Sequence, residues 1–234
     1  FADVHNNIAT NNTGGILVFD LPGLPQQGGH HVRVFNNRSI ENNTDNFAPE
    51  GNIVGEVPRG TGIIIQANSD VEIFNNEIGD NDTVNIAIVT YGNETDDKAY
   101  YPHPKSIQIH GNQFGPTGYN PDTSKGELAQ ILYELSGGNM PDIFWDGLLP
   151  LSQLLLGQPK DERMIVTNAN FTELYDNFSN TDLILTASGG TITGPFDSPD
   201  VPMHKIRFLA DQLSDLPNAS TYHGMFAHVH SEGH

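Results

Sequence analysis

Val71-Glu72-Ile73-Phe74-Asn75-Asn76-Glu77-Ile78 is the stretch from which the rest of the chain can be read. Apolar and polar residues alternate up to an asparagine pair, and another apolar residue follows two positions later. Alternation with a period of two describes a half-buried strand. The pair describes a sharp corner, because Asn tolerates left-handed backbone and bonds its own main chain. The pattern recurs at Val4-His5-Asn6-Asn7-Ile8-Ala9, at Val32-Arg33-Val34-Phe35-Asn36-Asn37-Arg38-Ser39-Ile40 and at Ile107-Gln108-Ile109-His110-Gly111-Asn112-Gln113-Phe114. The closing asparagines, Asn7, Asn37, Asn76 and Asn112, are 30, 39 and 36 residues apart.

A dense apolar run follows each of the first three units: Gly14-Gly15-Ile16-Leu17-Val18, Gly62-Ile63-Ile64-Ile65 and Asn85-Ile86-Ala87-Ile88-Val89. Polar corners separate the runs, at Asn11-Asn12-Thr13-Gly14, Asn42-Asn43-Thr44 and Gly79-Asp80-Asn81-Asp82. Short strands, tight corners and a recurring period predict a coil of strands. One coil cannot bury its inner face alone, but stacked coils share a continuous core, and asparagines at equivalent corners form hydrogen-bonded ladders. The uneven period implies insertions. Segments 21–29, 44–60 and 91–104, rich in Pro, Gly and polar residues, read as loops projecting from the coil edges, where repeat folds often carry their binding faces.

The division expected is 1–118 for coils with edge loops and 119–234 for a capping region within one continuous domain. That region holds an amphipathic stretch from Ser124, with Leu128, Ile131, Leu132 and Leu135 at helical spacing. Further strands are expected at 164–166 and 183–186, short helices over 168–180 and 203–213, and a histidine-rich tail. The chain opens at Phe1, almost inside a strand unit. An open coil end exposes strand edges, so earlier coils, an oligomer or a further chain are expected to cover it.

Composition narrows the functions. The 234 residues carry 10 Lys and Arg against 29 Asp and Glu, a net charge of −19. Nucleic-acid binding needs clustered cations, and so does an anionic membrane surface, so neither is expected. No apolar run is long enough to span a bilayer. There is no cysteine, which excludes disulfides, thiol nucleophiles and thiolate metal sites. The 24 asparagines include eight Asn-x-Ser/Thr sequons, which matter only in a eukaryotic secreted protein.

The repeat resembles that of right-handed parallel β-helix proteins secreted by bacteria. It is similar to the periplasmic copper-associated NosD proteins and to carbohydrate-active β-helices. Three motifs resemble one group more closely: Asn-Asn-Thr-Gly-Gly-Ile-Leu-Val-Phe-Asp-Leu-Pro-Gly-Leu-Pro (11–25), Asn-Phe-Ala-Pro (46–49) and Asp-Ile-Phe-Trp-Asp-Gly (142–147). That group comprises parallel β-helix repeat proteins whose genes often neighbour a di-haem c-type cytochrome. The resemblance implies an all-β, right-handed parallel β-helix (a solenoid) with inserted loops and a C-terminal cap. It also implies a secreted, periplasmic or cell-surface location and a c-type cytochrome as a partner. It implies no catalytic residues.

The residues offer four chemical candidates. Asp142 and Asp146 lie four apart, and on a helix they would share a face as an acid/base pair. Trp145 beside them is a candidate for stacking on a sugar, against the simpler reading of Ile-Phe-Trp as an apolar plug. In the tail, His228 and His230 would share one face of a strand; with His223, His234 or Met225 they make a copper or zinc set. Asp80, Asp82, Asp96 and Asp97 near corner loops are hard oxygen ligands suited to calcium.

The function expected first is a secreted or envelope scaffold without assigned catalysis, presenting loops to a protein partner or a surface glycan and requiring no cofactor. Two alternatives stand beside it: a polysaccharide-active enzyme, a neutral-glycan hydrolase or lyase, and a metal-handling periplasmic protein using the tail. A uronate lyase is disfavoured, because ten scattered cations make no dense basic groove and the net charge repels polyanions.

Overall fold

The computed structural model describes residues 1–49, 51–124, 130, 133, 140–156 and 158–167. The expected elements at 168–180, 183–186 and 203–213, and most of the stretch after Ser124, lie outside the described residues.

Among the described residues thirteen strands follow one another: β1 (Ala2–His5), β2 (Ile8–Ala9), β3 (Gly14–Phe19), β4 (His30–Phe35), β5 (Arg38–Ile40), β6 (Thr61–Gln66), β7 (Ser69–Phe74), β8 (Glu77–Gly79), β9 (Val84–Val89), β10 (Lys105–His110), β11 (Gln113–Phe114), β12 (Ile143–Trp145) and β13 (Ile165–Thr167). They form three sheets, ordered β1-β4-β7-β10-β13, β2-β5-β8-β11 and β3-β6-β9-β12. Every pairing among these strands is parallel. The chain visits the sheets in rotation, so each circuit lays one strand beside its predecessor in each sheet. Helix is scarce among the described residues: a short α-helix, Leu151–Leu156, helical Gln130 and Tyr133, and two 3-10 turns, Ile53–Glu56 and Lys160–Glu162.

Register turns the sequence pattern into a core. Val4, Val34, Ile73, Ile109 and Val166 form one inward row of the first sheet. Val18, Ile65, Ile88 and Trp145 form another in the third. Ile63, Ile65, Ile73, Ile86, Ile88 and Ile109 are completely buried. Stacking like on like lets β-branched side chains interlock at the strand spacing. Trp145 ends its row, so the fourth coil crosses the boundary expected at 118, and β13 begins a fifth.

The three corners differ. The first, between the first and second sheets, always has two residues: 6–7, 36–37, 75–76 and 111–112. The second holds 10–13, 41–60, 80–83 and 115–142, and the third 20–29, 67–68, 90–104 and 146–164. All the inserted loops therefore leave from the second and third corners, and these set the uneven period.

An asparagine ladder lines the inside of the first corner. Asn37 Oδ1 accepts from both N and Nδ2 of Asn7, Asn76 Oδ1 from both of Asn37, and Asn112 Oδ1 from both of Asn76, all at 2.9–3.0 Å. The second amide hydrogen of Asn37, Asn76 and Asn112 goes to Val4 O, Val34 O and Ile73 O of the preceding coil. Each side chain thus replaces ladder bonds that the strands cannot make while the chain turns, and in the middle of the stack all its hydrogen-bonding capacity is used. A second ladder runs inside the second corner, from Asn12 through Asn42 and Asn81 to Asn85, and Asn85 donates to Asp142.

Candidate functional site

Outside the first corner lies an open groove of about 690 Å³. Two rows of side chains define it. One is the leading member of each corner pair, Asn6, Asn36 and Asn75, at φ of 57°, 54° and 55°. The fourth coil has Gly111 there, at φ 62°; a side chain would meet Asn75 Oδ1, which lies 2.7 Å from the position of a Cβ. The other row, on the outer face of the second sheet, is Ile8, Arg38, Glu77 and Gln113, held in register by β2, β5, β8 and β11. Ile8 is 71% exposed. Arg38 Nε donates to Glu77 Oε2 at 3.0 Å, an exposed ion pair that leaves the groove wall locally neutral. Among the described residues the side-chain amides of Asn36 and Asn75 have no hydrogen-bond partner.

A ring stack stands on the outer face of the first sheet, just before each corner. His5, Phe35, Phe74 and His110 lie 4.8, 4.9 and 5.1 Å apart with interplanar angles of 7–11°. Neighbouring coils cover the faces of the two inner rings, Phe35 and Phe74, and leave their edges outward. The stack therefore reinforces the coils; it is not a series of open platforms. His110 Nε2 also contacts the fully buried Glu72 at 2.8 Å.

Asp142 and Asp146 do not share a helix face, because the residues between them form β12. Pairing with β9 imposes the extended backbone and sets the two carboxylates at opposite ends of a strand. Asp142 Oδ1 accepts from Asn85 at 2.9 Å and ends the second ladder. Asp146 is buried at the third corner, accepting from Thr90 N at 2.6 Å and Leu148 N at 3.1 Å. Burial pushes its carboxyl up to about 6, against the lowering effect of those donors. Trp145 is 2% exposed and packs in the core, with no open face for a sugar.

The four aspartates considered for calcium fall in two places. Asp80 is exposed at the second corner. Asp82 Oδ2 there lies 3.6 Å from Arg59 and accepts from Asn120 at 3.1 Å. Asp96 and Asp97 are in the third-corner loop 90–104. Asp97 accepts from Gly23 N at 3.0 Å and from the Gln27 amide, and these bonds hold its carboxyl below the ordinary range. Among the described residues no three His, Asp or Glu side chains gather in a metal-binding set. His223, Met225, His228, His230 and His234 lie outside the described residues.

The groove residues were not singled out by the sequence reading, which assigned both asparagines of each pair to corner ladders. In the first-corner pairs only the second asparagine faces the ladder. The signal available was the pairing itself: a corner needs one inward amide, and the other amide of the pair must point elsewhere. No described helix is long and apolar enough to cross a membrane. Comparison with protein families, curated proteins and solved structures finds no match for the chain.

Proposed function

We propose that the chain is a right-handed parallel β-helix of the secreted or cell-envelope fraction, and that it acts as a binding scaffold without catalysis. Its working surface on this reading is the first-corner groove, with the inserted loops as flanking surfaces. One observation carries the proposal: this corner keeps its two-residue length coil after coil and sets its outward positions in two aligned rows, while every insertion among the described residues leaves from the other two corners. A surface of that kind suits an elongated ligand lying along the stack. It is poorly equipped for hydrolysis. A glycosidase needs two carboxyl groups about 5–10 Å apart across the scissile bond. The groove lining holds one carboxylate, Glu77, and Arg38 engages it.

The test is to incubate the chain with a panel of neutral and acidic polysaccharides and with candidate envelope proteins, following retention and the release of new sugar ends together. Retention without release is the expected result. Sustained release that disappears in Glu77→Gln would overturn the scaffold reading in favour of an enzyme.

A further inference from the structure

We infer that the first-corner groove binds an extended, neutral, polyhydroxylated chain, a glycan strand with one sugar ring per coil; the inference rests on the scaffold reading above. Four observations converge on that ligand class. The groove's volume of about 690 Å³ suits a short oligomer. Its polar groups repeat at the inter-strand distance of about 4.8 Å. That distance is close to the length of one pyranose ring in an extended β-linked chain. A peptide laid along the same axis rises about 3.3 Å per residue, so it loses step with the coils almost at once.

The second observation is the chemistry of the free row. A primary amide offers two donors and a carbonyl acceptor, which matches adjacent hydroxyls that both donate and accept. Asn36 and Asn75 present such amides, without a partner among the described residues, in neighbouring coils. Third, charge selects against acidic polymers. The groove's one cation and one anion are paired, and the whole chain carries −19. Fourth, exposed Ile8 and the aliphatic stem of Arg38 supply the apolar contact that the C–H faces of a sugar need.

Left-handed backbone alone would also favour Asn at these positions, and Gly111 fills the same conformation in the fourth coil. Glycine therefore separates the two roles. The double variant Asn36→Gly, Asn75→Gly keeps the corner conformation and removes both amides. The experiment is calorimetric titration of the full chain with β-1,4-linked hexamers of glucose, xylose and N-acetylglucosamine. An oligogalacturonate hexamer and an uncharged ten-residue peptide serve as comparators.

At least one neutral hexamer is expected to bind, with affinity rising from the monosaccharide to about four rings, the number of coils that line the groove. The double glycine variant should lose at least tenfold in affinity and keep its melting temperature. Failure of every neutral hexamer to bind overturns the inference. So does equal binding by the variant, tighter binding of the oligogalacturonate or the peptide, or a monosaccharide that binds as tightly as the tetramer. Release of sugar ends would sink the scaffold reading and leave the groove assignment standing, so the two failures are distinguishable.

Discussion

The first corner has two residues in every described coil, whereas the third corner has two in one coil, 67–68, and a long loop in each of its neighbours, 20–29 and 90–104. The contrast follows from what holds each corner. At the first, the backbone N–H of Asn37 and its amide both bind the Asn76 side chain of the next coil. An inserted residue would pull Asn37 or Asn76 out of register with both neighbours, so length is fixed by the ladder. At the third, the short corner leaves room into which the adjacent loops close. Tyr100 Oη donates to Asp20 O at 2.6 Å, and Gly23 N donates to Asp97, both across the 67–68 corner. The second corner repeats this arrangement around 80–83: Arg59 N binds Asp122, Asp122 N binds Thr83, and Asp82 N binds Asn43. At these places a long loop closes over a short neighbour, and among the described residues constant length is kept by the first corner alone.

The largest expected effect breaks that regular corner. Asn76→Ala removes the acceptor for two donors of Asn37 and the donors to Val34 O and Asn112 Oδ1. Each buried group left without a partner costs about 1–3 kcal/mol, and partial relaxation leaves a total of about 3–5 kcal/mol. Urea denaturation followed by circular dichroism measures it. A loss under about 1 kcal/mol would mean that strand pairing fixes the corner without the ladder.

The next effect separates an amide-held corner from a carboxylate-held one, since amides do not titrate. Asp146 ties Thr90 N and Leu148 N at the third corner, and its carboxyl is pushed up to about 6 by burial. A raised carboxyl means that the folded state holds the proton more tightly than the unfolded chain. The stability this contributes is complete below about pH 4 and is lost as pH rises through about 6, roughly 3 kcal/mol in all. His103, with Nδ1 3.1 Å from Leu148 O, acts in the opposite sense. Burial lowers its pKa, so protonation weakens the fold as pH falls below about 6.5. Comparing the chain with Asp146→Asn at pH 5 and pH 8 isolates the carboxyl, because Asn keeps an acceptor and cannot ionise. The stability of the variant relative to the parent should rise by about 1.5 kcal/mol between pH 5 and pH 8, because about half of the loss in the parent is already present at pH 5. Parallel pH curves for the two proteins would show that Asp146 does not titrate in this range.

Much of the first corner was legible in the sequence, and little of the third. The spacing of Asn7, Asn37, Asn76 and Asn112 equals the strand register because an inward amide is needed at that place in every coil. A pattern imposed by a local need repeats and can be read. The second ladder repeats only as far as Asn81, then passes to Asn85 and Asp142, where a long insertion separates the partners in sequence. Asp142 and Asp146 invited a helical reading because four-residue spacing suits a helix face. Pairing of Ile143, Phe144 and Trp145 with β9 overrides that local preference. The groove is an intermediate case. Its asparagines were visible as pairs, but which member faces outward depends on the left-handed conformation at Asn36 and Asn75.

The smallest global effect and the sharpest local one belong to Asp97. This half-buried carboxylate takes hydrogen bonds from the Gln27 amide, Gly23 N and Ala99 N, and so fastens loop 20–29 to loop 90–104. Those donors lower its carboxyl, so the clasp is complete above the ordinary carboxylate range and loosens as pH falls through the lowered value. If the coils are held by ladders and the loops only rest on them, Asp97→Ala should leave the melting temperature unchanged while amide exchange at Gly23, Ala99 and Tyr100 accelerates. The same acceleration should appear in the parent chain once the pH falls through that lowered value. Faster exchange that spreads to Asn37 and Asn76 would mean that the loops brace the coils, and that the division between a fixed corner and tolerant corners is less sharp than the geometry implies. Confinement to the two loops makes the third corner the place where length and sequence can change without disturbing the groove on the first.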